Sequence, residues 1–220
     1  MPKQSFYRSF LKRGLDLLIS VPALILFSPL LLLCALAVLL ESGRPVIFRQ
    51  DRIGYHGKVF RMYKFRSMIL NAEHTGSGVY SEENDDRVTK SGRVLRGLSL
   101  DELPQLINII KGDMSLIGPR PPLTYHPWSF DRYTKEQLHM FDVRPGITGW
   151  AQINGRKAVE WHKRIELNCW YVDHVSFSLD CKILLKTLFK VLKREDNLNR
   201  GATVDPHADG AAAEEKEEKD

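Results

Sequence analysis

The sequence predicts a mainly helical α+β chain built against a membrane, and three stretches predict it. Residues 14–40 form an apolar run of 27 residues in which Asp16 is the only charge. Two short alternating segments, 44–50 and 59–66, flank a turn around Gly54–Gly57 and read as a small β element. Near the end, Lys182, Lys186, Lys190 and Lys193 recur along one face of an otherwise apolar helix, 178–194. A lysine stripe opposite Leu, Ile, Phe and Val suits an amphipathic helix lying on anionic lipid.

The apolar run comes first in the chain. At about 1.5 Å per residue it makes roughly 40 Å of helix, enough to cross a bilayer. Basic residues stand on both sides, Lys12 and Arg13 before it and Arg44, Arg49 and Arg52 after it. A straight span would carry one basic flank to the far side, against the positive-inside tendency. Pro22 and Pro29 each remove a backbone donor and free the carbonyl four residues back. Ser28 can bond a freed carbonyl and stabilise a bend. A straight span and a bent helix returning to the same face both remain open on these residues. Either way the body is expected on the cytoplasmic face.

After the strands, residues 71–92 are polar and read as a mobile loop. A short helix is expected at 91–98 and another at 101–111, closed by Gly112. Residues 113–127 hold four prolines and are expected to be irregular. Residues 134–142 read as helix, 144–156 as a glycine-rich loop, and 158–174 as helix. The expected domains are a membrane segment with a basic N-terminus (1–43), a catalytic body (44–199) and an acidic disordered tail (200–220).

Charge is segregated. The chain carries +5 overall. The first 13 residues hold four bases and no acid, and the tail from Asp205 holds seven acids and two lysines. Residues 42–204 carry about +8, which suits an anionic membrane surface or phosphate-bearing ligands. A non-enzymatic, membrane-anchored basic module that recruits nucleic acid is the rival class, but no nucleic-acid-binding signature is present. Cys34, Cys169 and Cys181 are scattered and make neither a disulfide framework nor a zinc site. No Walker A, dinucleotide-binding, zincin or serine-hydrolase motif occurs.

The residues that carry chemistry centre on Leu98-Ser99-Leu100-Asp101-Glu102-Leu103-Pro104-Gln105. Two adjacent carboxylates at the start of a helix diverge by about 100°, so they can hold different partners. A helix N-terminus favours the ionised form that a nucleophile needs, and can also hold phosphate. The same pattern also reads as capping: Ser99 with Glu102 makes a capping box, or Asp101 is itself the N-cap. Lys64 and Arg66 in KFRSM, Arg96, Arg120 between Pro119 and Pro121, and Arg144 before Pro145 are the candidate phosphate and substrate ligands.

Taken together, these motifs closely resemble one family. KR-x-x-D at Lys12, Arg13 and Asp16, the apolar run with Ser28-Pro29, VIFRQDRIG, KFRSM, LSLDELPQL, KGDMSLIGPRP and RPGITGWAQINGR stand in the order found in the bacterial sugar transferases, the monotopic phosphoglycosyl transferases. The resemblance covers roughly residues 8–195 and is to the small form of the family. It implies a re-entrant helix–break–helix with its break at Ser28-Pro29. It implies that Asp101 and Glu102 are the catalytic pair, with Mg²⁺ required and Asp101 meeting the metal. It implies a UDP-sugar donor, undecaprenyl phosphate as acceptor, and the cytoplasmic face of a bacterial inner membrane. One position departs: many relatives carry Asp where this chain has Asn168.

Overall fold

The computed structural model describes residues 6–76, 78, 85–154 and 161–192. The expected tail, Lys193 and residues 79–84 of the expected loop lie outside this set.

The apolar run is two helices, α1 (Lys12–Leu26) and α2 (Ser28–Ser42), bent by 61° at Phe27. Ser28 Oγ donates to the Ile25 carbonyl at 2.7 Å, and Pro29 sits in the first turn of α2, where its missing N–H costs nothing. Among the described residues no single helix is long and apolar enough to cross a membrane; the bent pair together passes by length and composition. Its outer surface is apolar and bare, with Leu26 73% and Leu40 78% exposed. Leaving a leucine in water forgoes about 1.5–3 kcal/mol of burial, so a row of them demands cover.

The inner face of α1 is polar. Lys12, Asp16 and Ser20, spaced by four, are all buried. Asp16 Oδ1 accepts from Ser115 Oγ and the Leu116 N–H, both at 3.0 Å. Arg13 donates to the carbonyls of Ile109 and Ile110. Lys12 pairs with Asp180, which also accepts from Tyr171 at 2.7 Å and Tyr7 at 2.6 Å. At the far end of the pair, Arg66 donates to the carbonyls of Ser42 and Gly43, and Glu41 accepts from the Lys90 and Ser91 N–H groups. Both ends of the bent pair are therefore bonded to the same body.

That body begins with an antiparallel hairpin, β1 (Ile47–Ile53) and β2 (Val59–Phe65), in the register Gln50 opposite Met62. β1 starts three residues later than the sequence suggests. Helices α3 (Lys90–Gly97) and α4 (Gln105–Lys111) follow. Gly112 closes α4 at φ 92°, as expected from its freedom in that region. The segments read as irregular and as a loop each hold a strand instead: β3 (Ser115–Ile117) and β4 (Gly146–Thr148) pair in parallel. Glycine permits this. A Cβ on Gly146 would lie 2.1 Å from the Gly118 nitrogen, so the two chains approach only because both lack one.

The remaining helices are α5 (Lys135–Leu138), α6 (Trp150–Ile153), α7 (Trp161–Asp173) and α8 (Phe177–Leu192). The expected helix over 134–142 is α5 plus a 3₁₀ turn at His139–Phe141, opened by a capping box between Thr134 and Gln137. Ile117, Val143, Ile153, Tyr171, Val172 and Ile183 form one core between β3 and α6–α8. Cys34 and Val38 of α2 pack with Phe65 and Leu95 in another. In α8, Ile183 is buried while Lys182, Lys186, Leu185, Leu188 and Phe189 are exposed, so a lysine-bearing and an apolar surface both face outward.

Candidate active site

Thr89 caps α3, accepting from the Gly92 N–H at 3.0 Å. After Gly97 the chain reverses through Ser99, whose φ is 57°. A 3₁₀ turn, Leu100–Glu102, then precedes α4. Neither capping arrangement forms. The Ser99 side chain makes no cap bond, and the cap position of α4 is Pro104 rather than Asp101. The two carboxylates sit ahead of the helix on a tight turn, which turns them apart.

Their surroundings differ sharply. Glu102 Oε1 takes Lys64 Nζ at 2.9 Å and Arg120 Nη2 at 3.2 Å. Lys64 comes from β2, and Arg120 from the proline-braced bend after β3. Burial works to raise the pKa of Glu102, but Lys64 and Arg120 outweigh it and hold the carboxyl well below the usual range. Asp101 is 8% exposed and makes no hydrogen bond among the described residues. Burial raises its pKa; Lys64 opposes, Glu102 adds to the rise, and Arg96 and Arg120 oppose. The helix N-terminus expected at Asp101 is displaced to Pro104, and the neighbouring cations oppose but do not cancel the rise that burial imposes. Lys64 is itself pushed down by burial, with Glu102 pulling it back up.

The structure thus gathers Asp101, Glu102, Lys64, Arg96 and Arg120. It places two other candidates elsewhere. Arg66 is buried against the carbonyls that end α2, where a guanidinium fork satisfies orphan acceptors. Arg144 donates through Nε to the Gly112 carbonyl at 2.9 Å and lies over the Tyr55 ring. Ser28 and Pro29 lie at the bend of the apolar pair. Asn168 is buried in α7, its Oδ1 without a partner among the described residues.

One residue escaped the sequence reading. Arg52 of β1 donates to the Pro121 carbonyl at 3.0 Å and to Gln50 Oε1. Burial and then Arg120 push its pKa down. The available signal was strand alternation: Gln50 and Arg52 share the half-buried face of β1, while Arg49 and Asp51 face outward.

No group of three or more His, Cys, Asp or Glu that could hold a metal occurs among the described residues. The donor set nonetheless suits a hard cation. Mg²⁺ typically takes one or two carboxylates and completes its shell with water and substrate phosphate. Asp101, without a hydrogen-bond partner among the described residues, is the carboxylate available for it.

Comparison with known proteins bears on the family of the chain. Residues 7–194 match the family described as bacterial sugar transferase. The chain is 50% identical over 186 residues to an uncharacterised sugar transferase, EpsL, of Bacillus subtilis, covering 84% of this chain and 89% of that one. It is 44% identical to a UDP-N-acetylgalactosamine-undecaprenyl-phosphate N-acetylgalactosaminephosphotransferase of Aeromonas hydrophila, over 84% of this chain and 44% of the relative. It is 43% identical to a UDP-glucose:undecaprenyl-phosphate glucose-1-phosphate transferase of Escherichia coli, over 82% and 40% respectively. The chain spans less than half the length of these last two relatives. With the matched region taking in the whole apolar pair, the hairpin and the acidic turn, the chain belongs to the bacterial sugar transferase family.

Proposed function

We propose that this chain transfers a sugar-1-phosphate from a UDP-sugar to undecaprenyl phosphate through a covalent Asp101 intermediate. The observation that carries the proposal is the contrast within one turn: Glu102 is held by two cations, while Asp101 is buried with no hydrogen-bond partner among the described residues. A desolvated carboxylate flanked by positive charge is a primed nucleophile toward phosphorus.

Asp101 Oδ attacks the sugar-bearing phosphorus of the donor. The bond from that phosphorus to the bridging oxygen breaks, and UMP departs with the electron pair. A phosphate oxygen of the acceptor then attacks the same phosphorus, the acyl phosphate bond breaks, and the Asp101 carboxylate is restored. Lys64, Arg96 and Arg120 offset phosphate charge as it shifts. Glu102 holds Lys64 and Arg120 in place. Mg²⁺, bound by Asp101 together with phosphate oxygens, would supply further charge neutralisation.

The bent pair supports a re-entrant placement at the cytoplasmic face of the bacterial inner membrane. Arg8, Lys12, Arg13 and Asp16 at its start and Glu41 and Ser42 at its end all bond to one body. A helix crossing the bilayer would put those ends on opposite sides. The reading is tested by incubating purified protein with UDP-sugars and Mg²⁺. UMP should appear and labelled phosphosugar should stay on the protein. Asp101→Asn should abolish both, a loss of more than about 10³-fold in the rate of UMP release. Normal turnover by that variant would remove Asp101 as nucleophile.

A further inference from the structure

A cavity of about 430 Å³ opens beside the hairpin. Its walls include Gln50 and Asp51 of β1, Arg61 of β2, Glu73 from the turn after β2, and Thr124 and Tyr125 beyond the Pro121–Pro122 bend. Every one of these side chains carries a polar atom, and donors stand beside acceptors. Arg61 and Asp51 are 3.7 Å apart, and Gln50 Nε2 donates to Glu73 Oε2 at 2.7 Å. An isoprenoid chain would find no apolar groove here. A lone anion would meet two carboxylates. A polyhydroxylated ring is different: each hydroxyl both donates and accepts, so mixed walls suit it. Tyr125, 56% exposed, adds a ring face against which the C–H face of a sugar can lie.

The cavity is bonded to the phosphate cluster. Gln50 on its wall accepts from Arg52, and Arg52 donates to the Pro121 carbonyl. The Ile53 N–H donates to the next carbonyl, that of Pro122, at 3.1 Å. The same bend delivers Arg120 to Glu102. Arg52 is the joint of this unit. Its direct partners are neutral oxygens, and its Nε has no partner among the described residues. Arg120 acts on it from close by, so two guanidiniums stand between the cavity and the Asp101–Glu102 turn, where a diphosphate would lie.

We infer that this cavity is the subsite for the sugar ring of the nucleotide-sugar donor, and that Glu73 and Tyr125 help to set which sugar is accepted. The inference rests on the donor reading above. It is tested with Glu73→Gln and Tyr125→Ala, using UDP-glucose and UDP-N-acetylgalactosamine as donors and UMP as a competitive inhibitor that lacks the sugar. Circular dichroism confirms that each variant is folded; Tyr125 is exposed enough that its variant keeps the assay interpretable if Glu73→Gln misfolds. The expected result is a donor KM raised about tenfold, a changed ratio of kcat/KM between the two sugars, and unchanged inhibition by UMP. Unchanged KM and sugar ratio would overturn the inference. So would UMP inhibition weakening in step with donor KM, which would place the nucleoside in the cavity. Absence of UMP release by wild-type protein from any UDP-sugar is a different result: it removes the donor reading itself.

Discussion

Two charge clusters, one around Asp180 and one around Glu102, are completed differently. Around Asp180, one carboxylate is matched by Lys12, Tyr7 and Tyr171, and every one of these partners reaches it directly. Around Glu102, two cations serve one carboxylate while its neighbour Asp101 is left without a hydrogen bond among the described residues. A closed cluster can only hold things together. An incomplete one holds a reactive group in a low-dielectric setting where its interactions are strong. The difference separates a latch from the proposed reaction centre, although each pairs a carboxylate with a lysine.

The contrast predicts where damage falls. Asp180→Ala should have the largest effect on stability. It leaves Lys12 buried without its counter-charge, a loss of about 3–5 kcal/mol read as a fall in Tm in detergent, with the surviving folded fraction still releasing UMP. Lys64→Met should cost less, about 1–3 kcal/mol, because Arg120 still pairs with Glu102. It should also slow UMP release, which the Asp180 change does not do per folded molecule.

The smallest and sharpest effect is in pH. In the proposed mechanism Asp101 attacks as a carboxylate, and burial holds its pKa above the ordinary 3.8, so the rate of UMP release should rise with pH through that raised value. Lys64→Met removes a charge that lowers this pKa, so the acid limb should move to higher pH. For stability the two carboxyls have opposite signs. Glu102 has a depressed folded pKa, so its contribution is complete above the unfolded value of 4.5 and is lost as pH falls. Asp101 holds its proton longer when folded, so its burial begins to cost stability as pH rises through the unfolded value of 3.8 and the cost is complete above its raised folded value. The acid side of the Tm–pH curve should therefore flatten in Glu102→Gln and steepen in Asp101→Asn, which removes the opposing slope.

Much of this site was legible because its residues come in runs. LSLDELPQL showed two adjacent carboxylates, expected at a helix start and found on a turn before it, and KFRSM and GPRP pointed to Lys64 and Arg120, whose pairing with Glu102 only the fold revealed. Proline chemistry left a straight span and a bend both open, and only the family resemblance put the break at Ser28-Pro29, next to the bend found at Phe27. Other features were hidden for physical reasons. β3 and β4 are three residues each, too short to show alternation, and they lie among prolines and glycines that ordinarily signal loops. Arg66 and Arg144 look like phosphate ligands in sequence because nothing local reveals which distant carbonyl will claim a guanidinium. Arg52 was overlooked for the converse reason: on a hairpin strand it reads as a solvated charge, and only the fold brings the Pro121 carbonyl to it.

The grip of Arg13 on the last carbonyls of α4 has a practical outcome. α4 follows directly from the turn that bears Asp101, and its C-terminal end is held by the first turns of the apolar pair. Asp16 holds β3 in the same way. Trimming the greasy N-terminal segment to obtain a water-soluble fragment would strip both grips at once and let the reactive turn drift. Solubility by truncation and a working catalyst are, for this architecture, mutually exclusive aims.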